Sequence, residues 1–558
     1  MMSSAASVLR TLAEEFWVWR EATQPDCYDD LNRVERPDGW IPDWSPEAVA
    51  GRSRALSGFA VRHRALDLSA EPVAVQVDGE LIGSALARVH WELHLLRDWQ
   101  LNPGFYLDQA LLPVYQELLR PDATAQPRAR VVAGRLARVP EILAQGRLNL
   151  AGHAAAPLAE YALRLLGTAA EALGTAVAAL AAPQPAALAA DLQTASSDAR
   201  RALCDYRTWL QDALPGFTGA FSPGPEAFRF FLHRVALLPW SAEQLRDLGR
   251  REYARAAAAE LVLHRHGEPT APPPFADTAA QVERQRQDEL DVRAFLRKER
   301  IVDLPDSLRH YRNLAVPPHL EPLTWLGVQH HTAARARWDE DAVRYVPEPR
   351  PDLPYFQLAE ARDPRVGIVH EGVHAWQLAL SAAHDNPVRR HYYDSAANEG
   401  VAFHTEELTL LAGLFDDAPV SRRFIVNAMR LRALRVDIDL GLAQGELTLD
   451  EAAGRLADLV PMDRGTAWEE TAFYAGRPGL GLSYLAGKAQ VLDLLTSCER
   501  RDGKSFSLTS FHERLWREGN VPLALQRWEL LGTTDHLDRA RRLGGPAAEP
   551  LGTGATDT

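Results

Sequence analysis

His370 and His374 stand four positions apart with Glu371 between them, in the pentapeptide His370-Glu371-Gly372-Val373-His374. On a helix, residues four apart lie about 40° apart around the axis, so both imidazoles can reach one ion. Zinc favours nitrogen ligands and, in catalytic sites, takes three protein ligands and keeps one position open. Glu371 then projects beside the ion, placed to take a proton from a water. Glu399, in Asn398-Glu399-Gly400-Val401-Ala402-Phe403, supplies a candidate third ligand. The competing reading makes His370 and His374 core or surface residues of an amphipathic helix, and the third ligand at a helical position argues against it. Metal-assisted hydrolysis is the chemistry that this set of residue types suits, although manganese, cobalt or iron would also be accepted by the same donors.

Such a site needs two helices and a turn. The apolar run from Val366 to Leu380 predicts the first helix and Ser395 to Leu411 the second, with Asn386-Pro387 as the break between them. Leu353-Pro354-Tyr355-Phe356-Gln357-Leu358 reads as a short strand just ahead of the metal helix, able to bind an extended substrate through its backbone. Elsewhere the patterning is helical: Ser7 to Arg20, a start at Ser45-Pro46-Glu47, Ala85 to Trp99, Arg128 to Leu150, Leu158 to Leu180, Ala186 to Leu214, Ser241 to His266 and Thr278 to Lys298. The expected division is an N-terminal helical region over 1–266, a proline-rich linker over 267–277, a catalytic region over 278–543 and a disordered tail over 544–558. No repeat of 20–50 residues is present.

Composition narrows the class. The chain has 558 residues, 61 basic and 75 acidic, for a net charge of −14. That balance argues against a nucleic-acid surface and for a soluble protein. Cys27, Cys204 and Cys498 are too few and too scattered for a disulfide framework or a cysteine metal cluster. Met1 to Arg20 has no uninterrupted apolar core, and Ala169 to Ala190 is broken by Pro183 and Pro185, so the expected setting is the cytoplasm with no membrane span.

Five segments resemble a bacterial family, Domain of Unknown Function family 885. They are Arg135 to Pro140 with Asn149-Leu150, His370 to Gln377, Glu399 to Ala402, Pro478 to Tyr484 with Gly487, and Phe511-His512-Glu513 through Gly519 to Leu523. The resemblance implies a metallopeptidase of the gluzincin type, with a large helical fold enclosing a cleft and a small β-sheet near the active site. Three departures stand out. The family's Pro-Gly insertion between glutamate and second histidine is absent. Val401 and His404 stand where the family carries Trp and Tyr. The family's Asp-x-Gly-x-His segment ends here in Ala443.

Tyr484 is the candidate for stabilising an oxyanion, resting mostly on that resemblance, since a phenol can donate to a carbonyl oxygen as charge builds on it. Its other reading is packing at a helix start. Arg477 and Lys488 flank the segment and are candidates to hold a substrate carboxylate, against the ordinary fate of solvated cations. His404, five residues beyond Glu399, points away from it and suits the pocket wall. His90 and His94 share the four-residue spacing but lack a third ligand, so they read as packing residues. His330-His331 and His264-x-His266 are weaker candidates still, and Trp17, Trp19, Trp91 and Trp99 read as packing anchors.

The expected protein is a mainly α-helical enzyme with one Zn²⁺ on His370, His374 and Glu399, cleaving an amide bond in short peptides. The alternative keeps the metal but acts on a small-molecule or biosynthetic amide by hydrolysis, elimination or cyclisation, because residues 401, 404 and 443 depart from the family. A third reading is a helical scaffold without metal.

Overall fold

The computed structural model describes residues 5–26, 36, 40–265, 267–327, 330–331, 340–460 and 462–545. The expected tail and Cys27 lie largely or wholly outside them, as does His266. Helices dominate, and their ends follow local chemistry. Thr278–Lys298 opens under Asp277, whose carboxylate accepts from the Ala280 N–H, and Ser395–Leu411 opens in the same way under Asp394. Ser45 caps Pro46–Arg64, with proline in the first turn. The stretch Arg128 to Leu150 is two helices, Gln126–Leu136 and Val139–Leu150, because Pro140 suits a first turn but not a helix interior. The stretch Ala85 to Trp99 is the end of Val73–His90, a π-helical turn Trp91–Leu96 and a left-handed Arg97 at φ 56°.

Ala156–Ala181 is long and apolar enough to cross a membrane by length and composition. Here it packs along Ala186–Ala213, with Leu158, Leu166, Leu173 and Leu180 buried.

The sheet is small. Three strands, β1 (Tyr311–Ala315), β2 (His330–His331) and β3 (Ala342–Val346), lie in the order β1-β3-β2, with β3 parallel to β1 and antiparallel to β2. The side chains of His330 and His331 lie outside the described residues. The strand expected at Leu353–Leu358 does not form: Pro354 is the N-cap of a short helix, Tyr355–Glu360. Proline fixes φ near −65°, which suits a helix entry as well as a strand, and the apolar run alone could not decide.

The cores do not respect a boundary near residue 267. One is built mainly from residues before 218 but takes in Val388, Tyr392, Val521, Ala524 and Leu537. A second surrounds the His370–His374 segment and includes Leu245, Ala256 and Phe228. A third joins Leu431–Leu442 to Leu449–Tyr474. Ala242–His264, assigned from sequence to the N-terminal region, packs along Pro419–Ala443 in the half that carries His370 and His374. The proline-rich segment is itself strapped down, with the Phe275 N–H donating to the Ala361 carbonyl at 3.0 Å.

Candidate metal centre

Three segments bring the ligands together. His370 lies in a π-helical turn, Ile368–Gly372, and His374 in the α-helix Val373–Ala382 that continues it. Turns of this kind, inserted into α-helices, recur at functional sites. Glu399 sits on Ser395–Leu411, after the break that Asn386 caps. His370 Nε2 and His374 Nε2 are 3.3 Å apart, and each is 3.3 Å from Glu399 Oε2. An ion held tetrahedrally at about 2.0–2.1 Å needs ligand–ligand edges of about 3.3–3.4 Å, so the triangle has the size that zinc requires. Glu399 Oε2 is buried and has no other partner among the described residues. Two facing ring nitrogens and one such oxygen are a poor hydrogen-bonding arrangement and a good cation site.

Electrostatics agree. Burial disfavours the charged form of Glu399, yet His374 and His370 hold its carboxyl well below the usual range. Burial also opposes protonation of His370, but Glu406 and Glu399 push it up to about 9. The site therefore calls for positive charge, which a divalent cation would supply in place of a proton.

Glu406 is a residue of the candidate site that sequence reasoning missed. It lies two turns after Glu399 on the same helix and accepts from His370 Nδ1 at 2.6 Å. Arg432 grips it with two bonds, 2.7 and 3.0 Å. A carboxylate behind a ligating histidine fixes the ring and its tautomer. The seven-residue spacing from Glu399 was the available signal. Arg432 comes from Pro419–Ala443 and could not be placed without the fold.

Glu371 is partly exposed, with Oε1 3.6 Å from Arg344 Nη1 of β3. Arg344 is anchored by Glu360 at 2.8 Å. Tyr484 lies nearly parallel to the His370 ring, at an 11° interplanar angle and 6.2 Å between centroids. Burial, with the Glu399 carboxylate nearby, pushes its phenol well above the ordinary value, so it remains a proton donor. His370, Glu371, Glu406, Arg344 and Tyr484 all line one cavity of about 1020 Å³.

Helix packing holds Tyr484 and Glu399 in register. Ser395–Leu411 crosses Leu480–Asp502 at Gly400 and Gly487: a Cβ on Gly487 would lie 1.8 Å from the Ala396 carbonyl oxygen. Asp439, the surviving acid of the Asp-x-Gly-x segment, accepts from the N–H groups of Gly479 and Leu482 and so caps the helix that carries Tyr484. Burial pushes Asp439 up to about 7 against those bonds.

Several expectations need correction. Lys488 holds no substrate: it is buried, with Nζ 2.7 Å from Glu252 and 2.5 Å from Glu407. Arg477 does not line the metal cavity; it pairs with Asp108 at 3.2 Å in a neighbouring chamber. His404 is not cavity wall either, since it is buried with Nε2 3.1 Å from His512 Nε2. Val401 and Ala443 are likewise core residues that do not line the cavity. The departures at positions 401, 404 and 443 therefore leave the cavity surface untouched. His90 and His94 are ring neighbours 5.1 Å apart at the end of a packed helix, with burial lowering both pKa values.

A mostly helical protein with a candidate His-His-Glu ion site and a small sheet is the class that fold and site define. The chain belongs to the family described as bacterial protein of unknown function (DUF885), whose model matches residues 28–530. Among solved structures it is similar to a "putative lipoprotein of unknown function" from Shewanella oneidensis, at 17% identity, a TM-score of 0.69, and coverage of 95% of this chain and 100% of that one. It is also similar to a "putative lipoprotein" from Colwellia psychrerythraea, at 16% identity, a TM-score of 0.69, and coverage of 96% and 99%. These likenesses show the fold. No curated protein matches.

Proposed function

We propose that this protein is a zinc-dependent hydrolase of the gluzincin type, cleaving an amide bond in short peptides. The observation that carries the reading is the 3.3 Å triangle of His370, His374 and Glu399, with His370 and Glu371 lining one cavity. Bound zinc supplies polarisation of a water and of the scissile carbonyl. Glu371 takes the proton from that water and passes it to the leaving amine. Arg344, itself held by Glu360, faces Glu371 and aims it. Tyr484 donates to the carbonyl oxygen as charge develops there. Glu406, clamped by Arg432, keeps His370 Nδ1 protonated and Nε2 free to ligate. The cavity walls between Trp468, with Arg164 stacked over it at 3.9 Å, and Phe356 suit short chains rather than folded proteins.

The test is a peptide-library digest with the zinc-loaded enzyme and with Glu371→Gln. Cleavage by wild type that falls at least about 100-fold in the variant, at unchanged zinc content, supports the reading. Full activity in Glu371→Gln would refute it.

A further inference from the structure

The chamber that holds Arg477 adjoins the metal cavity. The two share the wall residues Tyr161, Leu165, Trp325 and Phe473. The chamber has a volume of about 180 Å³. It lies at the start of both helices that build the centre: Ser395, one turn before Glu399, and Ser483, the neighbour of Tyr484, both line it and meet at 3.0 Å.

Its walls combine aromatic rings with an excess of carboxylate. Trp91, Trp99, Phe231 and the shared Tyr161, Trp325 and Phe473 supply the rings. Five acids line it: Asp26, Glu92, Asp98, Asp108 and Asp394. Asp26 is paired with Arg36 at 2.7 Å and Glu92 with Arg20 at 2.6 Å. Asp394 is occupied as a helix cap. Arg88 donates to the Tyr393 carbonyl, at 3.5 Å. Asp98, hydrogen-bonded to Asn102, and Asp108 both feel Arg477, which is 3.2 Å from Asp108 and 4.6 Å from the Phe473 ring centroid. Asp98 and Asp108 thus have one guanidinium between them. Two carboxylates sharing one guanidinium in an aromatic enclosure attract a further cation, by charge and by the faces of the rings.

We infer that this chamber is a substrate subsite that receives a primary ammonium, and that Asp98 and Asp108 make the peptidase selective for substrates carrying one. The inference rests on the proposed peptidase reading and names its substrate class. Burial pushes Asp98 up to about 7 and Asp108 up to about 6, the response of carboxylates short of positive charge. An entering ammonium restores their ionised form. Arg477 competes for the same oxygens and limits the affinity. A peptide's amino terminus and a lysine side chain offer the same group.

The experiment uses full-length zinc-loaded Glu371→Gln, so that bound peptide is not consumed. Calorimetry compares Ala-Ala-Ala, N-acetyl-Ala-Ala-Ala and N-acetyl-Lys-Ala-Ala. Acetylation of the alanine peptide is expected to weaken binding at least tenfold. Recovery with the acetylated lysine peptide shows that a side-chain ammonium enters the chamber as well, and no recovery restricts it to the amino terminus. The preference should vanish when Asp98→Asn and Asp108→Asn are added, with zinc content unchanged. Arg477→Gln, which removes the competing cation, should strengthen binding of the preferred peptide. Equal affinity for all three peptides, or a preference that survives the double substitution, overturns the inference. In either case, zinc binding and Glu371-dependent cleavage would still stand. Loss of the peptidase reading would show instead as absence of zinc and of cleavage.

Discussion

At the scale of single residues, the site separates ligands from their supports, and each has its own signature. Glu406→Gln keeps the shape but loses the charge that holds His370 Nδ1–H, and should weaken zinc binding by about 10- to 100-fold, measured by competition with a chelator. Unchanged affinity would show that Arg432 and Glu406 only brace the fold. Tyr484→Phe should lower kcat by roughly 100-fold with little change in KM, because the donated bond matters chiefly as charge builds on the oxygen. A change confined to KM would make Tyr484 a binding residue. His370, Glu371, His374 and Glu399 were legible in the chain because helical spacing alone brings two of them together. Arg344, Arg432 and Glu406 were not, since their partners arrive from other elements. Lys488 and Arg477 look alike in sequence as cations flanking one motif. Only the fold shows that Lys488 is consumed by Glu252 and Glu407 while Arg477 faces a chamber.

At the scale of elements, the centre depends on two helices meeting almost backbone to backbone. Gly487→Ala puts a methyl group into the Ala396 carbonyl and must push Ser395–Leu411 away. The expected cost is at least the ~1–3 kcal/mol typical of overpacking, with a matching fall in zinc affinity as Glu399 retreats from the histidines. A stable variant with unaltered zinc affinity would contradict this view of the crossing. A second junction responds to pH. His512 Nδ1 donates to the Ile301 carbonyl, so its Nε2 accepts from His404, and both rings are neutral. Burial, with Lys488 also facing His404, lowers both pKa values, that of His512 to about 4. Groups with depressed pKa values contribute stability above the unfolded value near 6.5 and lose it as pH falls toward the folded one. The melting temperature should therefore drop between pH 7 and 5, and His404→Gln, which still donates, should flatten that limb. An unaltered limb would place the acid sensitivity elsewhere. The helices Ser395–Leu411 and Thr278–Lys298 were readable to the residue because caps mark their starts. The six residues from Leu353 were misread because a proline entry and an apolar run fit a strand and a short helix alike.

At the scale of the whole molecule, the half that carries His370, His374 and Glu399 is not separable from what precedes it. Ala242–His264 packs on the helix that carries Arg432, and its Glu252 neutralises buried Lys488. A fragment limited to residues 278–543 should accordingly fail to fold, as read by circular dichroism and by proteolysis. A cooperative, zinc-binding fragment would restore the division expected from sequence. The proline-rich segment suggested that division because composition marks loops but not which cores they join. Cytoplasmic residence, expected from the chain's composition, is tested by fractionation of cells producing the full-length protein. The central claim is that His370, His374 and Glu399 bind a metal ion, and elemental mass spectrometry measures it most directly. Full-length protein should carry about one zinc per chain, and the combined His374→Ala, Glu399→Ala variant close to none while still folded. Metal-free wild type that takes up no added Zn²⁺, or a variant that keeps its zinc, would contradict the claim.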